Sequence, residues 1–351
     1  MKSLAKQRAV ITNYDKRSNL QALLTSSHNS NFTEMVRIFL LGFLVTFLVA
    51  AFFVLKEHVP IANRAIAIVS PLPDYLQNSA LVTGLDFWKP KDTNVMSSTI
   101  EKPQITAVAA YVYDITTDKV LYEKNSKEHF SIASLVKITT AIVALESKDA
   151  QSKITVSEHA ASVGENSMGV SSGETYTLEE LLYGLVLHSG NDAAEAIAEA
   201  VSGDSSQFVD LMNQKAQILG LSDTHFVNPS GLEEDNGARE YSSGYDLAVL
   251  TKYALTLPVF AKVAATVEYD IPYSAEHKHI YLFNQTNLLT SYPGVKGVKT
   301  GYTPSAGLCL VTYVENGGHK LIGVILNSER RREEMRELLD YSFSILGVKV
   351  P

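Results

Sequence analysis

From residue 38 to residue 55 the chain reads IFLLGFLVTFLVAAFFVL, eighteen residues without a charge, bounded by Arg37 and Lys56. At helical rise the run covers ~27 Å, close to the hydrocarbon thickness of a bilayer. A buried core helix would normally carry a polar stripe, which this run lacks. A cleaved signal peptide would have a short basic leader, a shorter apolar stretch and small residues at its end. Here 37 residues precede the run, and its end is bulky or charged, with Phe52, Phe53, Lys56, Glu57 and His58. The pattern predicts an uncleaved transmembrane signal anchor over 38–55.

Residues 56–103 contain Pro60, Pro71, Pro73, Pro90 and Pro103, five of the eleven prolines, and read as an extended connector. From residue 104 the alternation becomes that of an α/β domain, expected to run to 351. Ile105–Asp114 and Lys119–Glu123 predict a hairpin around Thr116–Asp118. Ser134–Ser147 predicts an apolar helix. Thr177 is placed to cap a helix over Leu178–His188, with Glu179 and Glu180 in its first turn. Asp192 opens an alanine-rich helix ending near Gly203, and another runs from Ser205 to Gly220. Val295–Gly301, Leu308–Glu315 and Lys320–Leu326 read as strands, the last two joined at Asn316-Gly317-Gly318. Ser328 is placed to cap a closing helix through Tyr341. Strands at both ends of the domain imply a sheet assembled from distant segments.

With 46% hydrophobic residues in 351, disorder throughout is excluded. A single cysteine, Cys309, excludes an internal disulfide and a thiolate zinc cage. A net charge of −8 argues against a general nucleic-acid binder. Residues 1–37 nevertheless hold six basic side chains against two acidic ones, a surplus of four, so the remainder carries −12. This asymmetry predicts a cytoplasmic tail over 1–37, a single pass through the cell membrane and an extracytoplasmic domain.

Three short motifs bear on chemistry. In Ser134-Leu135-Val136-Lys137 the i, i+3 spacing puts an amine within reach of a hydroxyl, as a nucleophile and base require. A capping serine beside a surface lysine would read the same, and Ser3-Leu4-Ala5-Lys6 repeats the spacing in the tail. Ser189-Gly190-Asn191, between two predicted helices, also fits ordinary turn chemistry. Lys299-Thr300-Gly301, at the end of a predicted strand, suits either carboxylate recognition or a polar surface edge. His277-Lys278-His279 would put two imidazoles on one strand face, without an evident third metal ligand. His188 beside Ser189 invites a Ser-His-Asp reading, but Gly-x-Ser-x-Gly is absent.

Taken in order, Ser-x-x-Lys, Ser-x-Asn and Lys-Thr-Gly are the signature of penicillin-recognising serine acyl-transfer enzymes. Over about 104–348 the chain resembles the D-alanyl-D-alanine carboxypeptidases, the low-molecular-mass penicillin-binding proteins. The likeness includes IASLVKITTA, HSGNDAA, THFVNPSGL, YSSGYDLA and PGVKGVKTGYTPSAG. It implies a β-lactamase/D,D-peptidase-like fold of α/β (α+β) type, an antiparallel sheet with helices on both faces and an inserted helical region. It further implies no metal or cofactor, a peptidoglycan stem peptide ending in D-Ala-D-Ala as substrate, and β-lactams as covalent inhibitors. By the same resemblance Ser134 is the nucleophile and Lys137 its base. Ser189 relays a proton to the leaving amine, and Asn191 holds the substrate amide and Lys137. Lys299 and Thr300, followed by Gly301, bind the terminal carboxylate. The backbone N–H groups of Ser134 and Tyr302 form the oxyanion hole, and Arg331, among Arg330–Arg332, assists with the carboxylate.

Class A β-lactamases share the three motifs but need a glutamate with an asparagine four residues on, and none lies between Asn191 and Lys299. Their middle motif is also Ser-Asp-Asn, against Ser-Gly-Asn here. A catalytically silent wall-binding protein would have no reason to retain all three motifs. A D,D-endopeptidase would use the same groups, so both hydrolytic reactions stay open at this point. Two positions depart from the family pattern, Ser230 and Glu240, where histidine is frequent, and the expected effect is on a loop. The family's C-terminal β-rich domain and anchor have no counterpart after the closing helix, so tethering is expected at the N-terminus.

Overall fold

The computed structural model describes residues 88–350 apart from 92, 234–236 and 287, together with Leu40. The predicted tail, the anchor and residues 56–87 of the connector lie outside the described residues, Leu40 excepted. The chain divides into units 1–65 and 66–351, and the described fold belongs to the second. Among the described residues no single helix is long and apolar enough to cross a membrane.

Five antiparallel strands form the central sheet in the order β2-β1-β9-β8-β7. They are β1 (Ala109–Asp114), β2 (Lys119–Lys124), β7 (Val295–Thr303), β8 (Gly307–Asn316) and β9 (His319–Ser328). The first hairpin turns where Asp114 accepts hydrogen bonds from Thr116 N (2.9 Å) and Thr117 Oγ1 (2.7 Å). The β8–β9 turn falls at Gly317 and Gly318, whose φ values of +55° and +83° suit glycine.

Every residue of β1 is buried, because helices cover both faces of the sheet. Ala110 and Val112 face α9 (Arg331–Ile345), meeting Leu310, Ile325, Met335 and Leu338. Ala109, Tyr111 and Tyr113 face the larger core with α1 (Lys137–Ser147) and α6 (Gly244–Ala254). The inserted helical region adds α2 (Glu158–Ser162), α3 (Leu178–Leu187), α4 (Asn191–Ser202), α5 (Ser205–Ile218) and α7 (Pro258–Ala264). It also carries two small two-stranded antiparallel sheets, β3 (Lys153–Thr155) with β4 (Thr175–Thr177), and the hairpin of β5 (Glu268–Ile271) with β6 (Ile280–Phe283). A short helix α8 (Leu288–Ser291) precedes β7.

The cap at Thr177 forms as predicted, reciprocally with Glu180 at 3.2 and 2.7 Å. Other boundaries differ for identifiable reasons. The strand expected from Ile105 starts at Ala109, because the Thr106 and Ala107 amides donate to Glu334 of α9 at 2.6 and 3.1 Å. Ser328 is not the cap of the closing helix. It ends β9, accepts from Arg330 N at 2.9 Å and donates to Glu334 at 2.7 Å, and the helix starts at Arg331. The helix expected from Ser134 is a 3-10 turn, Ala133–Val136, followed by α1. His277 and His279 precede β6. One ring stacks on Tyr176 and the other meets Asp270 at 2.5 Å, so they make no metal pair. The end of the expected connector packs onto the folded unit, with Trp88 buried edge-on against Tyr253 and Met96 N donating to Val120 O.

Candidate active site

Ser134 is the second residue of the 3-10 turn, directly after Ala133, which holds a left-handed φ of +49°. Such backbone strain costs about 1–3 kcal/mol and persists only where its surroundings impose it. Part of that enforcement is Gly231, where a Cβ would collide with the Ala133 carbonyl. The turn delivers Ser134 beside Lys137, the first residue of α1 and fully buried. Lys137 Nζ lies 3.0 Å from Ser134 Oγ, 2.8 Å from Asn191 Oδ1 and 2.5 Å from the Ser230 carbonyl. The predicted i, i+3 contact is therefore made, and the surface-lysine alternative is not.

Ser189 is also held at a left-handed φ, +61°, on the turn between α3 and α4. Asn191 follows as the first residue of α4, with N bonded to Asn166 O (2.7 Å) and Nδ2 to Gly164 O (3.1 Å). Asp192, fully buried, accepts from Ser167 Oγ and from the amides of Met168, Gly169 and Val170 at 2.5–3.2 Å. It thereby fixes the loop that leads Glu165 and Asn166 to the cleft wall.

The third wall is the edge strand β7. Lys299, 2% exposed, places Nζ 3.0 Å from Ser189 Oγ and 2.9 Å from Thr300 O. At Gly301 a Cβ would stand 2.9 Å from Ile132 O and 3.3 Å from Ser134 N, so only glycine lets this strand approach the nucleophile turn. Arg331 Nη1 reaches from α9 to the carbonyls of Gly301 (2.6 Å) and Cys309 (3.3 Å). Between these walls is a cleft of about 220 Å³. Ser134, Ser189, Thr300, Gly301, Tyr302 and Arg331 line it, and Lys137, Asn191 and Lys299 are buried behind that lining.

Glu165, Asn166 and Gln285 also line the cleft, and sequence reading did not single them out. None of the three falls in a motif or in a tract quoted above, so nothing in the sequence pattern marked them. Of the two departures from the family pattern, the Ser230 side chain stays within its loop, donating to Asn228 and accepting from Leu232 N, and the carbonyl it offers Lys137 is a backbone group that any residue would supply. Glu240 reaches further, because its buried side chain accepts the Ala133 N–H. Burial pushes the Glu240 carboxyl up to about 7, and the nearby Glu233 charge adds to the rise. Away from the cleft, His159, Glu195 and Glu199 bring ligand atoms within 4.8 Å of one another, enough to hold a metal ion, although Ser205 and His159 already engage Glu195.

Burial drives Lys137 well below an ordinary lysine, and the Lys299 charge pushes it the same way. Asp192, Glu240 and Glu165 oppose the shift without reversing it. The shift favours the neutral amine, the form able to take a proton from Ser134. Burial and the Arg331 guanidinium bring Lys299 down to about 7. A cation in free enzyme that recognises a substrate carboxylate is then lost as pH rises through 7. For a substrate with a free C-terminal carboxylate, kcat/KM is expected to fall on the alkaline side with an apparent pKa near 7. An analogue with that carboxylate amidated should lack this limb. Parallel profiles for the two substrates would show that Lys299 does not read the carboxylate.

A buried amine on a serine hydroxyl, a second serine against a second lysine, and a cationic edge strand define a site equipped for serine acyl transfer. A family model described as D-alanyl-D-alanine carboxypeptidase matches residues 96–330. The chain is 39% identical over 246 residues to the D-alanyl-D-alanine carboxypeptidase DacF of Bacillus subtilis, covering 68% of this chain and 62% of that protein. It is 34% identical to DacB2 of Mycobacterium tuberculosis, covering 67% and 79%. The solved DD-transpeptidase of a Streptomyces strain superposes with TM-score 0.66 at 31% identity, covering 70% of this chain and all of that one. The chain belongs to the D-alanyl-D-alanine carboxypeptidase family and has its D,D-peptidase-like α/β fold. It spans less than two thirds of the length of DacF.

Proposed function

We propose that this protein is a serine-type D-Ala-D-Ala carboxypeptidase that removes the terminal D-Ala from peptidoglycan stem peptides. The observation that carries the reading is the 3.0 Å contact between buried Lys137 Nζ and Ser134 Oγ, at the mouth of a cleft whose opposite strand presents Lys299 and Thr300. Ser134 Oγ attacks the carbonyl between the last two D-alanines while Lys137 takes the hydroxyl proton. The oxyanion forms between the N–H groups of Ser134 and Tyr302. Collapse of the tetrahedral species expels D-Ala, and Ser189, held against Lys299, passes the proton to its amine. Asn191 orients Lys137 and the substrate amide, and Arg331 adds positive charge at the carboxylate end. Water then hydrolyses the ester, leaving a stem one residue shorter. A β-lactam would enter the same cleft by its carboxylate and acylate Ser134.

The eighteen-residue apolar run and the basic surplus before it support a single-pass membrane protein with residues 1–37 cytoplasmic and the enzyme outside. The first 87 residues carry this part of the reading on sequence alone.

The test uses the full chain in detergent. With a muropeptide ending in D-Ala-D-Ala, mass spectrometry should show loss of one alanine. Cutting of a cross-linked dimer without that loss would instead identify a D,D-endopeptidase. A fluorescent penicillin should label the wild type covalently and leave Ser134→Ala unlabelled, and equal labelling would remove Ser134 as nucleophile.

A further inference from the structure

The β5–β6 hairpin has two faces of different character. Its inner face is already used by the core, where Ile271, Ile280 and Leu282 are buried and Tyr269 stacks on Tyr183 with centroids 3.6 Å apart. Its outer face presents Tyr281 and Phe283, 55% and 52% exposed, on alternate residues of β6. Directly across the ladder stand two exposed carboxylates, Asp270 opposite Tyr281 and Glu268 opposite Phe283. Tyr281 donates its hydroxyl to Glu268, and His279 contacts Asp270 at 2.5 Å, so both carboxylates are held rather than free to swing. The fold does not require this arrangement, because the hairpin's packing lies entirely on the other side.

This face continues into the catalytic cleft. Beyond Phe283 the chain is anchored by Asn284, which donates to Ala264 O and Thr266 O at 3.3 and 2.8 Å. The next residue is Gln285, which lines the cleft with Ser134 and Tyr302 and donates to His188 O at 3.3 Å. Two residues of extended chain span at most ~7 Å, so the aromatic face begins next to the cleft wall.

We propose that the outer face of β5–β6 is a docking platform for the glycan strand of the peptidoglycan substrate. The proposal rests on the substrate reading above. Pyranose rings offer flat C–H faces that lie against aromatic rings, and hydroxyls that donate to carboxylates. Tyr281 and Phe283 supply the first partner, and Glu268 and Asp270 the second. A peptide carrying its own carboxylates would meet two negative charges here. The platform would hold the polymer while a stem hanging from it enters the cleft.

The test separates glycan binding from catalysis by using the full chain in detergent and, as the probe, glycan strands stripped of peptide whose freed lactyl carboxylates have been converted to amides. Wild type should co-sediment with or retard these strands, and a Tyr281→Ser/Phe283→Ser double variant should bind them at least ~10-fold more weakly. Turnover of a short N-acylated D-Ala-D-Ala peptide should be the same for both, which also shows that the variant is folded. Glycan binding unchanged in the variant, or absent in the wild type, overturns the platform. So does an equal loss on the short peptide. A wild type that binds glycan yet releases no D-Ala would leave the platform standing and refute the substrate reading instead.

Discussion

Lys137→Ala is expected to slow acylation by a β-lactam at least ~10³-fold, the middle of the range for loss of a positioned general base. The informative companion is Lys137→Arg. A guanidinium keeps a positive charge and could still donate toward Asn191 Oδ1 and the Ser230 carbonyl, the two acceptors that flank Lys137 Nζ. It cannot give up its proton in a protein, so it cannot receive one from Ser134. Both variants should therefore acylate slowly, measured as the second-order rate constant with a chromogenic cephalosporin. Burial and Lys299 depress Lys137, which favours the neutral amine that a base requires. In a Ser134→Ala background, removing Lys137 should cost nothing more, because the two act as one unit. An arginine variant within ~10-fold of wild type would show that Lys137 acts through its charge and not as a base.

How much of this site is readable from sequence depends on the distance over which each contact acts. Ser134 and Lys137 are three residues apart, so local spacing foretells their meeting even though the turn between them is 3-10 at its start. The contact of Lys299 with Ser189 joins residues 110 apart, and only the ordered motif set connects them beforehand. Arg331 could be narrowed to a run of three arginines. Its selection depends on α9 starting at residue 331 and not at Ser328, which follows from Ser328 bonding Glu334. Asp192 illustrates the limit from the other side. In sequence it reads as the residue that opens its helix, whereas the helix starts at Asn191 and the Asp192 carboxylate gathers backbone amides from Met168 to Val170. Glu240 and Ser230 were legible as departures from a pattern. That they touch Ala133 and Lys137 is a property of tertiary packing, which periodicity does not encode.

Lys215→Met is expected to be the most destabilising single change outside the cleft. Lys215 falls on the same face of α5 as buried Phe208 and Met212, and its side chain and that of Glu146 are 0% and 2% exposed and meet at 2.7 Å between α5 and α1. Tyr253 of α6 donates to Glu146, and the Lys215 ammonium lies 5.0 Å from the centre of the Tyr253 ring, which also meets Trp88 edge-on. Burial raises Glu146 and lowers Lys215, in each case against the attraction of the partner, so desolvation is the larger effect on both. The pair is thus weak as a source of net stability but costly to break, at ~3–5 kcal/mol when one charge is left alone. For a domain of this size that corresponds to roughly a 10 °C fall in Tm. Glu146 has a raised folded-state pKa, so the loss must grow as pH rises above the ordinary carboxylate range and shrink below it, where Glu146 is protonated in both states. The double variant Glu146→Leu/Lys215→Met should regain most of the lost stability, because it leaves no uncompensated charge. Thermal unfolding of the three proteins at pH 5 and pH 8 measures this. A Lys215→Met penalty that is equal at both pH values and persists in the double variant would mean that packing, and not the buried charge, joins these three helices.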